Sequence, residues 1–240
     1  MVSRALLNRR LRQIHLWMGA IIGIQVGIWL ISGLFMTWFH IETVRGNHLR
    51  AEKAEPTALS FEGIIHPSEI ALQNEFEVQS SLLKSLDDNP VWLIVHKSGK
   101  SLIDARSGDV MSPISKKLAT KLATSTFSGE SPANSAKLYE TPPREYGGQG
   151  PVWRVEFNES RVSFYVDATT GDVRAVRTGL WRAFEFMWGL HIMDWKEREN
   201  FNSWWIKLTA VCAVVFFITG VGLVSLQLNS KIRKFRANRV

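Results

Sequence analysis

The sequence predicts a membrane protein of the α+β class, in which two transmembrane helices flank a single exported domain built from two repeated α+β modules. Three observations predict it. Two long stretches near the ends carry no Asp, Glu, Lys or Arg; basic residues cluster just beyond both stretches; and the segment between them contains an internal duplication.

Residues 1–13 read as a cytoplasmic tail carrying Arg4, Arg9, Arg10 and Arg12. The first transmembrane helix, 14–41, follows from the uncharged run between Arg12 and Glu42, which is longer than a bilayer core requires. The run exceeds the apolar region of a signal peptide and no small-residue cleavage site follows it, so it reads as an uncleaved anchor. The second helix, 203–228, follows from the uncharged run Leu208–Ser230 and leads into a tail, 229–240, with Lys231, Arg233, Lys234, Arg236 and Arg239. All 22 acidic residues lie between Glu42 and Glu199, so the net charge of +7 reflects the two tails. By the positive-inside rule both termini are cytoplasmic and the segment between the spans is translocated. This reading of the charge leaves no role for nucleic acid. Trp17, Trp38, Trp181, Trp188, Trp195, Trp204 and Trp205 fall near the expected interfaces with membrane lipid, where aromatic side chains concentrate.

The exported domain, 42–178, divides into modules at about 58–112 and 113–178. Pro90-Val91-Trp92 leads to Asp104-Ala105-Arg106-Ser107-Gly108-Asp109-Val110, and Pro151-Val152-Trp153 leads to Asp167-Ala168-Thr169-Thr170-Gly171-Asp172-Val173. Each copy reads as strand, turn, strand and second turn. The first turns are Lys97–Lys100 and Asn158–Arg161, and a glycine supplies positive φ in each second turn. Helices are expected over 67–76, with Ser68 as cap, and over 115–124. Residues 128–150, rich in Ser, Pro and Gly, read as a loop. The four aspartates of the second turns read as turn formers before metal ligands. The segment 179–202 is amphipathic and interfacial. The single cysteine, Cys212, falls in the second span and reads as a packing residue, so the exported domain relies on its core and not on disulfides.

Chemistry concentrates on three histidines. From His15 to His40 a helix would rise roughly 37 Å and return both imidazoles to nearly the same side. Gly19, Gly23, Gly27 and Gly33 cut away the face beside His15, a pattern that suits helix packing or the flat ring of a porphyrin. His191 closes the segment Trp181–Leu190 and is expected near the outer end of the first helix, where His40 lies. His15, His40 and His191 are therefore the expected axial ligands of b-type haem, with Gly19, Gly23 and Gly33 serving the haem or the helix packing. His15 lacks a partner in its own chain, and a twofold homodimer would let two copies share one haem. Gln25 is expected to bond across a helix interface. His48, His66 and His96 receive no role, as solvated histidines of a polar domain.

The segments His15-Leu16-Trp17-Met18-Gly19, Ser32-Gly33, Gly189-Leu190-His191 and Tyr165-Val166-Asp167-Ala168-Thr169-Thr170-Gly171-Asp172-Val173 resemble the PepSY-associated transmembrane family. That resemblance implies PepSY-like modules in the exported domain and b-type haem on helix histidines. It also implies a ferric or ferric-siderophore reductase that supports ferrous iron uptake, akin to the short two-span ferric reductases of the family. Longer members have four spans, which dimerisation of a two-span chain would restore. The tails are too short to hold a nucleotide domain and contain no glycine-rich phosphate loop, so the electron donor is expected to be external: reduced flavin, a flavoprotein or a quinol. The acceptor is expected to be ferric iron, free, chelated or siderophore-bound. Two alternatives stand beside this one: a non-redox, membrane-anchored PepSY module that binds or regulates a partner, and a b-type cytochrome with a protein acceptor.

Overall fold

The computed structural model describes residues 4–52, 60–158 and 161–237. The start of the first module at 58, the middle of the turn Asn158–Arg161 and Arg239 lie outside the described residues. The chain divides into two compact units: a helical one, Met1–Phe39 with Phe184–Val240, and a central one, His40–Ala183.

The helical unit is an α-helical pair, α1 (Arg4–Trp38) and α6 (Trp204–Ala237), packed against each other along their lengths. Their stretches Asn8–Trp38 and Trp204–Ile232 are long and apolar enough to cross a bilayer. Exposed Leu, Ile, Val and Phe side chains such as Leu30, Ile31, Phe217 and Ile218 cover their outer faces, as lipid-facing helices require. The α1 helix ends at Trp38, short of the expected 41. Thr37 turns its hydroxyl back onto the Leu34 carbonyl, and His40 adopts an extended conformation (φ −64°, ψ 131°) as the N-cap residue of a short helix α2 (Ile41–Val44). His40 is therefore not on the same helix as His15, and the one-face geometry expected for that pair does not hold.

The central unit contains a three-stranded antiparallel sheet, β1 (Val78–Leu86), β2 (Asn89–His96) and β3 (Gly99–Asp104). A four-stranded one follows, β4 (Ala133–Tyr139), β5 (Val152–Phe157), β6 (Val162–Asp167) and β7 (Val173–Arg177). Helix α3 (Pro67–Gln73) precedes the first sheet and α4 (Lys116–Thr126) the second. The duplication predicted from the sequence extends to individual backbone bonds. Ala105 N–H donates to Pro90 O at 3.1 Å and Ala168 N–H to Pro151 O at 3.0 Å; Asp104 bonds Asp109 O and Asp167 bonds Asp172 O, both at 3.0 Å. Trp92 Nε1 donates to Ile65 O and Trp153 Nε1 to Ile114 O, at 3.0 and 2.9 Å, fastening each sheet to the residue that leads into its own helix. Both outer strands also break register at matched places, between Val78 and Ser80 opposite Val95–His96 and between Ala133 and Ser135 opposite Glu156–Phe157.

Alternating side chains feed the core. Ile70 of α3 packs with Ile94 and Ile103 on one face of the first sheet. Val91 and Leu102 on the other face join Ala119, Leu122 and Ala123 of α4 and Val155, Phe164 and Val166 of the second sheet, so α4 is enclosed by both sheets. Burying side chains of that size contributes roughly 1.5–3 kcal/mol each, which is how the unit stands without a disulfide.

Two expectations for this unit are corrected. The Ser/Pro/Gly-rich stretch 128–150 contains β4, whose weak alternation disguised an edge strand that completes its hydrogen bonding only through β5. Ser68 is not the cap of α3. His66 is, its Nδ1 accepting from Ser68 N–H while Pro67 takes the first helical position, where a missing N–H costs nothing. The matching cap in the second module is Ser115, accepting from Leu118 N–H.

Candidate functional site

Each of the two histidines of the helical unit is held by a hydroxyl from another element. His15, on α1, places Nδ1 3.1 Å from Thr219 Oγ1 on α6. Thr219 is buried, and its hydroxyl donates to the carbonyls of Val215 and Phe216 at 2.9 Å each. With its proton committed there, Thr219 meets His15 as an acceptor, so His15 carries its proton on Nδ1 and turns the Nε2 lone pair outward.

The second histidine repeats the scheme. His191 ends α5 (Gly179–His191) and places Nδ1 2.9 Å from Ser32 Oγ on α1. Ser32 is fully buried and donates to Ile28 O at 2.7 Å, so it too accepts from Nδ1–H and leaves Nε2 free. The carbonyl of His191 accepts from Trp29 Nε1 at 2.7 Å, which fixes the backbone as well as the ring. His15 and Ser32 stand roughly 25 Å apart along α1 at 1.5 Å per residue, near opposite ends of its apolar stretch.

Packing restrains the rings further. Phe216 stacks on His15 with centroids 4.3 Å apart and planes 6° apart. A Cβ on Gly220 would stand 3.1 Å from His15 Cε1, so the glycine that admits this imidazole is on α6, where sequence periodicity along α1 could not reveal it. Of the glycines expected to line a porphyrin, Gly19 packs against Phe216, a Cβ there falling 3.1 Å from its ring, and is a helix-packing residue. Gly23 has open space beside it, and Gly33 leaves ordinary contact distance, 3.6 Å, to His191 Cε1. Gln25, expected to bond across the interface, has a buried Nε2 with no hydrogen-bond partner among the described residues. Cys212 is half-buried on α6.

His40 is exposed, and its imidazole makes no hydrogen bond among the described residues. The polar-domain histidines serve the fold: His66 as a cap, and His96 stacked on Phe76 at 4.3 Å with Ser98 and Ser101 at its two nitrogens. Two of the four second-turn aspartates form turns with their side chains, while Asp172 pairs with Lys84 at 2.8 Å. Asp104 Oδ1 accepts from Arg106 and Ser107 N–H, and Asp167 Oδ1 from Thr169 and Thr170 N–H.

Two grooves meet at His15. One, of ≈ 600 Å³, is lined by Asn8, Arg9, Arg12, Leu223 and Gln227 beside the histidine; the other, of ≈ 410 Å³, is apolar and runs along Phe217, Gly220, Val221 and Val224. Among the described residues no three His, Cys, Asp or Glu side chains converge as a metal cage. The donor set is one oriented imidazole at each place, which fits a macrocycle that brings its own equatorial nitrogens.

The central unit fastens the start of α5. Thr178 Oγ1 accepts from Trp181 N–H at 3.0 Å, and the Arg177 guanidinium lies 4.2 Å from the Trp181 ring centroid. Arg182 grips Glu145 through Nε and a terminal nitrogen at 3.0 and 2.9 Å, and Tyr165 donates to the same carboxylate at 3.0 Å. Burial pushes the Glu145 carboxyl up, but the Arg182 bonds and charge outweigh it and hold the group below its ordinary value. Beyond α5, Asp194 accepts from the backbone N–H groups of Asn200, Glu199, Glu197 and Lys196, which hold its carboxyl down and close the loop before α6.

Sequence reasoning singled out His15 and His191, quoted Ser32 only within a motif, and did not single out Thr219 or Gly220. The signal present was two hydroxyl residues within apolar spans; their partners depend on how α1, α5 and α6 pack. No curated protein and no solved structure gives a significant match to the chain. The family model described as PepSY-associated TM region matches residues 12–239, and the chain, a membrane protein of that architecture, belongs to this family.

Proposed function

We propose that the chain is a haem-containing reductase of the bacterial inner membrane, with cytoplasmic termini and a periplasmic central unit, that passes electrons to periplasmic ferric iron and so supports ferrous iron uptake. One observation carries the reading: both imidazoles of the helical unit are held through Nδ1 by a buried, back-bonded hydroxyl, which leaves the Nε2 lone pair for a ligand near either end of the apolar stretch. A solvated or merely packed histidine has no need of that arrangement, whereas metal-ligating histidines use it to fix tautomer and ring angle. His15 and His191 would hold b-type haem, which supplies one-electron transfer when bound.

The residues' own work is orientation and exclusion of water. Thr219 sets the rotation of His15 and Phe216 covers one face of its ring; Ser32 and Trp29 do the same for the ring and backbone of His191. An external donor, reduced flavin, a flavoprotein or a quinol, supplies each electron. Each ferric ion, free or chelated, takes one electron and leaves as ferrous ion. A twofold homodimer brings two copies of His15 together and raises the number of spans to four.

The test is spectroscopic and chemical. Purified full-length protein is expected to be red, with a Soret band and a reduced b-type spectrum, and the reduced protein to be reoxidised by ferric citrate with a ferrous-specific dye reporting the product. Colourless protein would leave a membrane-anchored binding module; red protein that stays reduced in excess ferric chelate would leave a cytochrome with a protein acceptor.

A further inference from the structure

The polar groove beside His15 has a chemistry that the imidazole does not require. Asn8, Arg9, Arg12 and His15 recur at helical spacing on one side of α1, with Leu223 and Gln227 of α6 opposite. Arg12 and Arg9 lie about one and two turns beyond His15, roughly 4.5 and 9 Å along the axis. Neither guanidinium makes an ion pair among the described residues, and every acidic residue of the chain lies between Glu42 and Glu199. Arg10 carries the same charge but does not line the groove. Two unpaired, planar, bidentate donors beside an oriented Nε2, and next to a second, apolar groove, describe a receptor for a body that is apolar in its middle and anionic at one edge.

We propose that Arg9 and Arg12 are a carboxylate clamp for the two propionates of the porphyrin that His15 ligates. The assignment rests on the haem reading above. It gives each arginine a positioning role: the pair would hold the carboxylates of the group that His15 would ligate.

Full-length protein carrying His191→Ala, which isolates the His15 place, is incorporated into nanodiscs of phosphatidylcholine and loaded with haem b or with haem dimethyl ester, whose propionates are uncharged. Release to an excess of apomyoglobin is followed at the Soret band. Haem is expected to leave at least about tenfold more slowly than the ester, one charge-assisted hydrogen bond being worth about that factor. In Arg9→Gln/Arg12→Gln the two compounds should leave at the same rate, and Arg10→Gln should keep the full difference. Arg9→Lys/Arg12→Lys preserves the tail charge that sets insertion and should keep only part of the difference, since an ammonium lacks the fork. Equal release of haem and ester from the unsubstituted tail, or an undiminished difference in Arg9→Gln/Arg12→Gln, overturns the clamp while leaving the haem place intact. Protein that takes up neither compound overturns the haem reading together with it.

Discussion

The helical unit and the central unit use the same polar side chains for opposite ends. In the central unit Asp104, Asp167, Ser115 and Thr178 spend their oxygens on backbone N–H groups, closing turns and capping helices. In the helical unit Ser32 and Thr219 satisfy their own protons on the backbone and spend their lone pairs on imidazoles. The histidines divide the same way: His66 and His96 bond residues two to five positions away in their own module, while His15 and His191 bond hydroxyls on another element. The difference teaches where function was concentrated. The central unit invests these polar groups in shape; in the helical unit Asp194 does the same, whereas the buried hydroxyls of Ser32 and Thr219 aim two rings.

Substitution should separate the two investments. The largest effect is expected from His15→Ala and His191→Ala, each abolishing one haem component of the spectrum while far-ultraviolet circular dichroism and detergent-phase mass stay unchanged; His66→Ala and His96→Ala should leave the spectrum as it is. Retention of both components by both single variants would erase the contrast.

Next in size is a change confined to shape. Gly171 has φ +74°, and a Cβ there would stand 2.9 Å from Leu86 Cδ2, so Gly171→Ala is expected to lower stability by about 2–4 kcal/mol from backbone strain and overpacking together. Its counterpart Gly108 has φ +78° but faces the end of the Gln73 side chain at 3.0 Å, which moves aside, so Gly108→Ala should cost only about 1 kcal/mol. Denaturant melts of the two variants check the order, with haem content of the folded fraction as the control.

Smaller again, Thr219→Val and Ser32→Ala remove the hydroxyl that orients a ring without removing the ring. Haem affinity should fall about 10–100-fold at the affected place, a typical cost of losing such a partner. A titration showing wild-type affinity in both would mean the hydroxyls serve helix packing alone.

The smallest expected effect is pH dependence in the central unit. Glu145 is held below its ordinary value of 4.5, so the stability it contributes is complete above that pH and is lost as pH falls below it. Tyr146 moves the other way: burial, then the Asp167 charge and hydrogen bond, push it from 10.0 up to about 12. Its contribution is complete below pH 10 and is lost as pH climbs toward 12. Thermal melts across both windows should show these losses, with the acid-side loss absent in Glu145→Gln and the alkaline one reduced in Tyr146→Phe.

Much of this organisation was legible in the sequence. Uncharged runs announce spans because charge is costly in hydrocarbon, and the repeated Pro-Val-Trp and Gly-Asp-Val signatures announce matched turns because each residue there has a local job. Edge strands β1 and β4 were not legible, since their bonding is supplied by neighbours and their own alternation is weak. His40 was misplaced because periodicity cannot report where a helix stops; its end depends on Thr37 and on the extended conformation that begins α2. The partners of His15 and His191 were beyond reach for a related reason, being 204 and 159 residues away along the chain.

The broken register shared by the two modules bears on how far the duplication reaches. A break of this kind bends and twists an edge strand, and the two modules place it opposite corresponding residues. Its presence both at Val78/Ser80 and at Ala133/Ser135 extends the duplication to the outer strands, where the sequence shows no repeated signature. The copies differ at their last strand. Where the second continues as β7, the first has only the bridge between Ile103 and Val110 before the chain enters α4.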